Sequence, residues 1–268
     1  MKILFCGAGK MATAIAGGMT SKNLFPGDEI AACDPSPEAR AAFTAATGVP
    51  AFSTATPEQV SDADVLILAV KPQIADTAFS ALPPRKPDCL VFSICAGITL
   101  ERLRGWFGEA RMVRVMPNTP LMAGEGASCY TLSDDADAKA DAFAAKLLGA
   151  LGKAWRVPES QLDAVTALSG SGPAYFFAFI EALTKGGVAL GLSAELAQAL
   201  AIQTMAGASA MLRQGKGTPE ELRIAVTSKG GTTAAALDVM KARCFNDIVN
   251  DLLLAAAQRS QELGKTKG

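Results

Sequence analysis

Short apolar runs separated by amphipathic stretches fill the first half of the chain. The run Val65-Leu66-Ile67-Leu68-Ala69-Val70 is apolar at every position, which is typical of a strand covered on both faces. The stretches between such runs have helical spacing, and this alternation predicts a mostly parallel sheet with right-handed crossovers. The predicted strands are Lys2–Cys6, Glu29–Cys33, Asp64–Val70, Cys89–Ile94 and Arg111–Met116, and the predicted helices are Lys10–Lys22, Glu38–Ala46 and Gln73–Ala81. Three further segments extend the same domain: Glu125–Leu132, Ala136–Leu151 and Lys153–Val157.

After Pro158 the apolar positions recur with helical spacing only. Ser193 before Ala194, and Thr218 before Pro219, are good helix start signals. The apolar faces are longer than a lone bundle of this size needs, so we expect a homodimer or higher homo-oligomer. The sequence therefore predicts an α/β fold, with a Rossmann-type domain over residues 1–158 and an all-helical substrate-binding and dimerisation domain over residues 159–268. The predicted helices are Leu162–Leu168, Ala174–Gly187, Ala194–Leu212, Pro219–Val226, Thr233–Lys241 and Cys244–Leu263.

Composition and charge exclude several classes of protein. The 268 residues carry a formal net charge of −1 that is spread along the chain, which argues against nucleic-acid or anionic-membrane binding. No apolar run approaches the ~18–20 residues of a membrane span. The chain has no histidine, so a histidine base and a histidine-rich metal site are excluded, and we expect no metal. The six cysteines form no C-x-x-C pair and are expected to be reduced thiols, as in a cytoplasmic protein without a signal peptide.

A glycine motif of the form G-x-G-x-x-A follows the first predicted strand and opens the first predicted helix. Gly7 permits a tight turn, Gly9 lets the backbone approach a pyrophosphate, and Ala12 lets helix and strand pack closely. The helix N-terminus offers N–H groups to the anion. Because strand, motif, helix, second strand and acidic residue come in the required order, a dinucleotide site is favoured over a plain tight turn. The predicted cofactor-binding residues of this motif are Gly7, Ala8, Gly9, Lys10, Met11 and Ala12.

Asp34 ends the second predicted strand, where an acidic side chain would hydrogen-bond the adenosine ribose hydroxyls. It favours NAD(H), because a 2′-phosphate about 4 Å away would be repelled by ~1 kcal/mol in water and by up to ~4 kcal/mol at a dielectric of ~20. The turn around Pro35 could instead swing the carboxylate outward, with Ser36 and Arg40 near the phosphate. In a third interpretation Asp34 is only a turn or capping residue.

Further motifs follow along the chain, and their order is informative. Ala167-Leu168-Ser169-Gly170-Ser171-Gly172-Pro173-Ala174 and Thr227-Ser228-Lys229-Gly230-Gly231-Thr232-Thr233 are the most specific. The others are Ala69-Val70-Lys71-Pro72-Gln73, Cys95-Ala96-Gly97-Ile98 and Arg114-Val115-Met116-Pro117-Asn118-Thr119-Pro120. With these motifs the chain resembles the pyrroline-5-carboxylate reductase family over essentially its whole length.

The resemblance implies reduction of 1-pyrroline-5-carboxylate to L-proline by hydride transfer from NAD(P)H, the last step of proline biosynthesis. NADP(H) is the expected cofactor, with NAD(H) as the alternative. Asp34 stands where a small hydroxyl residue is frequent in the family, and Thr56 where an Asn often meets the adenosine, so both bear on cofactor preference. The further cofactor-binding residues that it implies, beside Asp34 and Ser36, are Thr56, Ala69, Val70, Lys71, Pro72, Cys95, Ala96, Gly97 and Asn118, the last near the nicotinamide.

This reaction needs little acid–base machinery, since a protonated cyclic imine already accepts hydride. Positioning alone can supply up to ~7–11 kcal/mol. The glycines and hydroxyls before an Ala-rich helix suit a carboxylate clamp, although an ordinary glycine break is the alternative without the family resemblance. Thr233, Lys71 and Asn118 are the candidate catalytic residues, although a lysine after a strand is more often a solvated or cofactor-facing charge. The candidate substrate-binding residues are Ser228, Lys229, Gly230, Gly231, Thr232 and Thr233.

Two other functions compete with this one. A β-hydroxyacid dehydrogenase would need a catalytic lysine where this chain has Phe176, and an asparagine where it has Phe179 or Ile180. A non-catalytic dinucleotide-binding sensor would bind the cofactor without turnover. The aromatic run of Tyr175, Phe176, Phe177 and Phe179 has helical spacing and is expected to lie in the core.

Overall fold

The structure is a computed structural model that describes residues 1–25 and 29–265. One unit comprises residues 1–171 together with the chain from Ala255 onward, and the other comprises Gly172–Leu254. No helix of the described residues is long and apolar enough to cross a membrane.

A single eight-stranded sheet forms the centre of the first unit. The strands lie in the order β3-β2-β1-β4-β5-β6-β7-β8, and every neighbouring pair is parallel except β6 and β7. The predicted mostly parallel sheet is therefore confirmed. The strands are Lys2–Cys6 (β1), Glu29–Cys33 (β2), Ala51–Phe52 (β3), Val65–Leu68 (β4), Leu90–Ser93 (β5), Met112–Met116 (β6), Gly126–Leu132 (β7) and Gly152–Arg156 (β8).

The strand order reverses between β1 and β4. The chain builds outward from β1 through β2 to β3, then returns to the other side of β1 and continues through β4. Ligands of open parallel sheets bind outside the carboxyl ends of the strands at such a reversal. The loop after Cys6 and the loop after Leu68 therefore frame the expected binding crevice.

Helices cover both faces of this sheet. Alternate strand residues enter two separate cores, with Phe5 and Ile67 on one face and Leu4 and Leu66 on the other. The sequence analysis did not predict β3, α3 or α5, which are only two, six and eight residues long. The helices of this unit are Lys10–Ser21 (α1), Pro37–Thr47 (α2), Pro57–Asp62 (α3), Ala75–Ser80 (α4), Leu100–Phe107 (α5), Ala138–Ala150 (α6) and Leu162–Val165 (α7).

The second unit is entirely helical, as predicted for the C-terminal region. Only four residues of this unit are buried: Gly172, Pro173, Ala197 and Ala201. A unit with so small a core has little hydrophobic stabilisation of its own. Its helices are Gly172–Ala189 (α8), Ala194–Arg213 (α9), Pro219–Ala225 (α10), Thr232–Ala242 (α11) and the first part of Phe245–Gly264 (α12).

The division between the units falls after Ser171, thirteen residues beyond the predicted boundary at residue 158. Glu159 ties its segment to the sheet, because its Oε1 accepts from Arg114 Nη1 at 2.7 Å and from the Leu100 amide at 2.8 Å. The end of α12 returns to the first unit, where the Ser260 hydroxyl donates to Asp163 Oδ1 at 2.6 Å. Polar contacts between residues this far apart in the chain cannot be recognised from a local sequence pattern.

Candidate active site

The glycine motif makes a turn that only glycine can occupy at its first position. Gly7 has φ +107°, and a Cβ there would lie 2.6 Å from the Ala69 carbonyl oxygen. The loops after β1 and β4 are therefore in backbone contact at the reversal of strand order. Gly9, by contrast, faces open space, since a Cβ there would meet nothing within 4 Å.

The start of α1 can accept an anion. Gly9 is its N-cap and provides no side-chain acceptor, and the first turn carries no acidic residue. The first N–H groups of a helix need partners from outside it, and the helix dipole favours a negative charge there. The open side of Gly9 and the uncapped helix start fit a pyrophosphate.

Asp34 turns its carboxylate inward onto the glycine loop. Its Oδ2 accepts from the Ala8 amide at 2.9 Å, and its Oδ1 accepts from the Ser36 amide at 2.9 Å. The outward swing considered from the sequence is not the conformation of this structure. Each carboxylate oxygen keeps a lone pair that could accept a further hydrogen bond, for example from a ribose hydroxyl.

The turn after Asp34 carries a second carboxylate and one guanidinium. The Ser36 hydroxyl caps α2 by accepting from the Ala39 amide at 3.1 Å, and it donates to Glu38 Oε2 at 2.8 Å. That hydrogen bond lowers the pKa of Glu38, which is therefore anionic at neutral pH. Arg40 Nη1 donates to the carbonyl oxygen of Asp34 at 2.8 Å, which places a cation at the same turn.

The loops after β4 and β5 are joined through Leu68. The Cys95 thiol donates to the Leu68 carbonyl at 3.4 Å, and burial raises the pKa of Cys95 to about 11. Cys95 therefore stays a neutral thiol and lines the loop without thiolate chemistry. Lys71, after β4, has an exposed side chain, so the structure gives it no buried partner that would make it an acid.

Gly97 is held by the last turns of α12. It has φ +76°, and a Cβ there would lie 3.0 Å from both the Ser260 carbonyl oxygen and the Leu263 Cβ. A Cβ at Gly264 would in turn lie 2.6 Å from the Gly97 carbonyl oxygen. The two glycines thus let this helix end pack directly on the backbone of the expected cofactor loop.

Thr56 is engaged in capping a helix. Its hydroxyl accepts from the Gln59 amide at 3.2 Å, and Gln59 Oε1 accepts from the Thr56 amide at 2.9 Å. This reciprocal capping box opens α3 and accounts for a threonine at this position.

Asn118 is buried, with 7% of its surface exposed, just beyond the carboxyl end of β6. Its Nδ2 donates to the Ser169 carbonyl at 3.1 Å, and its Oδ1 accepts from the Ala127 amide at 2.9 Å. Sequence reasoning missed both partners. The signal that could have found the first is Pro173, which has no N–H to offer the Ser169 carbonyl four residues earlier.

The candidate substrate segment opens α11 in the second unit. Gly230 has φ +71°, and Gly231 is the N-cap of α11 without a side-chain cap. A Cβ at Gly231 would lie 2.5 Å from Ser228 Oγ, so the loop is compact. Thr232 and Thr233 occupy the first turn, whose backbone N–H groups are available to an anion.

The aromatic run of α8 is not in the core of the chain, contrary to the prediction. Phe176 is 59% exposed, Phe177 is 64% exposed and Phe179 is 46% exposed. Helical spacing shows that such residues share a face, but it does not show whether that face meets the same chain or another one.

Two family models match the chain in succession. The model described as pyrroline-5-carboxylate reductase dimerisation matches residues 159–263, and the model described as NADP oxidoreductase coenzyme F420-dependent matches residues 2–97. The pyrroline-5-carboxylate reductase of Pseudomonas aeruginosa is 43% identical over 100% of this chain and 98% of its own length. The chain belongs to the pyrroline-5-carboxylate reductase family. The pyrroline-5-carboxylate reductase of Arabidopsis thaliana is 42% identical over 99% of this chain and 96% of its own length.

A solved structure agrees with this assignment to the pyrroline-5-carboxylate reductases. The Plasmodium falciparum pyrroline carboxylate reductase, crystallised with NADP bound, matches with a TM-score of 0.88 and 30% identity, and covers 99% of this chain and 98% of its own. The predicted family, the α/β fold with a helical C-terminal region, and the function of a pyrroline-5-carboxylate reductase are thereby confirmed. The chain is an oxidoreductase, and neither the β-hydroxyacid dehydrogenase nor the sensor interpretation is favoured.

Proposed function

We propose that this chain reduces 1-pyrroline-5-carboxylate to L-proline with NADP(H) as the preferred cofactor and NAD(H) as a working alternative. The observation that carries the proposal is the glycine loop at the reversal of strand order, in a chain that matches pyrroline-5-carboxylate reductases from end to end. When bound, the nicotinamide supplies the hydride.

The chain's own residues bind and orient the dinucleotide in this proposal. The uncapped start of α1 and the open side of Gly9 receive the pyrophosphate, and Asp34 accepts from the ribose hydroxyls. The backbones of Ala69–Pro72 and Cys95–Gly97 line the crevice toward the nicotinamide end. Lys71 faces the cofactor as a solvated charge, which suits its exposed side chain.

Cofactor preference depends on opposing charges at the β2–α2 turn. Arg40 favours a 2′-phosphate, whereas the carboxylates of Asp34 and Glu38 oppose it. The relative from Plasmodium falciparum was crystallised with NADP, which supports NADP(H) as the family's cofactor. We therefore propose that NADPH is favoured over NADH only modestly.

The substrate carboxylate is proposed to bind the opening of α11, where backbone N–H groups and the hydroxyls of Ser228, Thr232 and Thr233 converge. The protonated imine is an electrophile, and hydride addition at its ring carbon leaves a neutral secondary amine. Thr233 is proposed to hydrogen-bond that nitrogen as its positive charge disappears. No histidine is needed for this chemistry, in agreement with the composition.

We further propose that the active form is a homodimer or a larger homo-oligomer. The second unit buries only four of its residues in one chain and exposes large apolar side chains along α8 and α9. Exposed apolar area of this kind marks an interface. The match of residues 159–263 to a model of pyrroline-5-carboxylate reductase dimerisation supports the same proposal.

The test is an assay of purified protein with 1-pyrroline-5-carboxylate and NADPH or NADH, followed by the loss of nicotinamide absorbance. We expect stoichiometric L-proline by amino-acid analysis and no turnover of β-keto acids. Oxidation with β-keto acids alone would indicate a β-hydroxyacid dehydrogenase, and cofactor binding without turnover of either substrate would indicate a sensor.

A further inference from the structure

The helix that begins at Leu162 widens before it reaches Pro173. Over Thr166–Gly170 the turn is wider than an α-helix, and the Ser171 amide donates to the Thr166 carbonyl, five residues earlier, at 2.8 Å. Pro173 is the second residue of α8, so it has no N–H to offer the Ser169 carbonyl, which lies four residues earlier in the wide turn. Such turns are frequent at functional sites.

The Ser169 carbonyl receives its hydrogen bond from Asn118. The Nδ2 to oxygen distance is 3.1 Å, and the Oδ1 of the same carboxamide accepts from the Ala127 amide at 2.9 Å. Asn118 is buried, and Gly170 packs so closely on Met116 that a Cβ there would overlap the Met116 methyl group. The hydrogen bond from Asn118 and the contact with Met116 thus hold the wide turn at the carboxyl end of β6.

We propose that Asn118 is a positioning residue, which replaces the N–H that Pro173 lacks and fixes the Ser169–Ser171 turn at the carboxyl edge of the sheet. The inference rests on the proposed function and assigns Asn118 a role other than the catalytic one expected from the sequence. β6 is parallel to β5, so this turn lies at the same edge as the Cys95–Gly97 loop. Hydride transfer depends on fixed geometry at that edge, because small misplacements of reacting groups lower the rate.

A carboxamide suits this arrangement, since it offers a donor and an acceptor from one planar group. Aspartate at this position would still accept from the Ala127 amide, but it would turn a second oxygen toward the Ser169 carbonyl. Alanine would remove both of these hydrogen bonds. The two substitutions therefore separate the contact with Ser169 from the contact with Ala127.

The experiment compares the full-length variants Asn118→Ala, Asn118→Asp, Pro173→Ala and the double variant Asn118→Ala with Pro173→Ala. We expect either substitution of Asn118 to lower kcat roughly tenfold, because a turn that is no longer fixed misplaces the reacting groups, with the Kd for NADPH changed less than about twofold. Pro173→Ala provides a backbone N–H for the Ser169 carbonyl. The kcat of the double variant should therefore be at least about three times that of Asn118→Ala. Gln161→Ala, at an exposed position in the same segment, is the matched control and should behave as the wild type.

Amide hydrogen exchange tests the positioning role of Asn118 without a measurement of activity. Asn118→Ala should speed exchange over residues 166–171, and the double variant should slow it again. If Asn118→Ala is insoluble, the same measurements are made on Asn118→Asp, which keeps the hydrogen bond to the Ala127 amide. An unchanged kcat, an equal loss of NADPH affinity, or no recovery in the double variant would overturn the positioning role. A wild-type protein inactive with 1-pyrroline-5-carboxylate would instead overturn the proposed function, while the exchange data would still decide the role of Asn118.

Discussion

Asp34 joins two pieces of the proposed cofactor crevice through its two carboxylate oxygens. One accepts from the amide of Ala8 in the glycine loop, and the other accepts from the amide of Ser36 in the turn before α2. The side chain is thus fixed in place before any ligand arrives. A fixed negative charge discriminates between NADH and NADPH more sharply than one free to turn away.

Asp34→Asn should raise the ratio of kcat/KM with NADPH to kcat/KM with NADH. The substitution removes a charge about 4 Å from the expected 2′-phosphate, worth ~1 kcal/mol or roughly fivefold at the dielectric of water. Initial-rate kinetics with both cofactors measure the ratio. Glu38→Gln is the comparison, since it removes an exposed charge at the same turn. A ratio unchanged in Asp34→Asn would mean that Asp34 serves only to hold the turn.

Gly7→Ala should weaken cofactor binding and lower the free energy of unfolding. A Cβ at Gly7 would lie 2.6 Å from the Ala69 carbonyl oxygen, and φ +107° adds a strain of order 1–3 kcal/mol. Fluorescence titration with NADPH and thermal melts measure the two effects. Gly105→Ala in α5 is the control, because a Cβ there meets nothing within 4 Å and should stabilise the helix by ~0.5–1 kcal/mol. Wild-type NADPH affinity in Gly7→Ala would contradict the assignment of the loop.

At the scale of secondary-structure elements, the first turn of α11 and the loop before it form the proposed substrate clamp. Thr233→Val keeps the shape of the side chain and removes its hydroxyl. We expect kcat and kcat/KM for the substrate to fall together by roughly 5- to 150-fold, the equivalent of a lost hydrogen bond worth ~1–3 kcal/mol. The Kd for NADPH should not change, because the dinucleotide is proposed to bind the first unit.

The matched control for this element is Thr184→Val, whose hydroxyl donates to the Ile180 carbonyl within α8. Gly231→Val should act differently from Thr233→Val and raise KM, because its side chain would crowd Ser228 and block the carboxylate. Full turnover with unchanged KM in Thr233→Val would show that the segment is only a break between helices.

The elements themselves were predictable to different degrees. β4 was evident from its sequence because it is apolar at every position, and α2 was evident from the helical spacing of its apolar residues. The prediction missed α5 because it is only eight residues long, although its apolar positions have helical spacing. It also missed the wide turn at Thr166–Gly170, which is tied to Asn118, 51 residues before Ser169.

For the whole molecule, the second unit exposes apolar side chains along α8 and α9, which we propose a partner subunit covers. We expect sedimentation to show a mass of at least twice 27.6 kDa at assay concentration. Phe177→Glu should dissociate the assembly and lower activity, because it places a charge in an apolar face that the partner would cover. Lys139→Glu, at an exposed position of the first unit, is the control for altered charge. A fully active wild-type monomer would contradict the proposed assembly.

By itself, the sequence determined the strand–helix order, the glycine turn and the family, because these depend on residues close together in the chain and on short exact motifs. Only the tertiary structure decided the partners of Asn118, which lie 9 and 51 residues away, and the inward turn of Asp34 onto a loop 26 residues earlier. It also showed that the apolar face of α8 stays exposed in a single chain. Hydrogen bonds and burial between distant segments depend on which surfaces come into contact. Local periodicity does not show which surfaces those are.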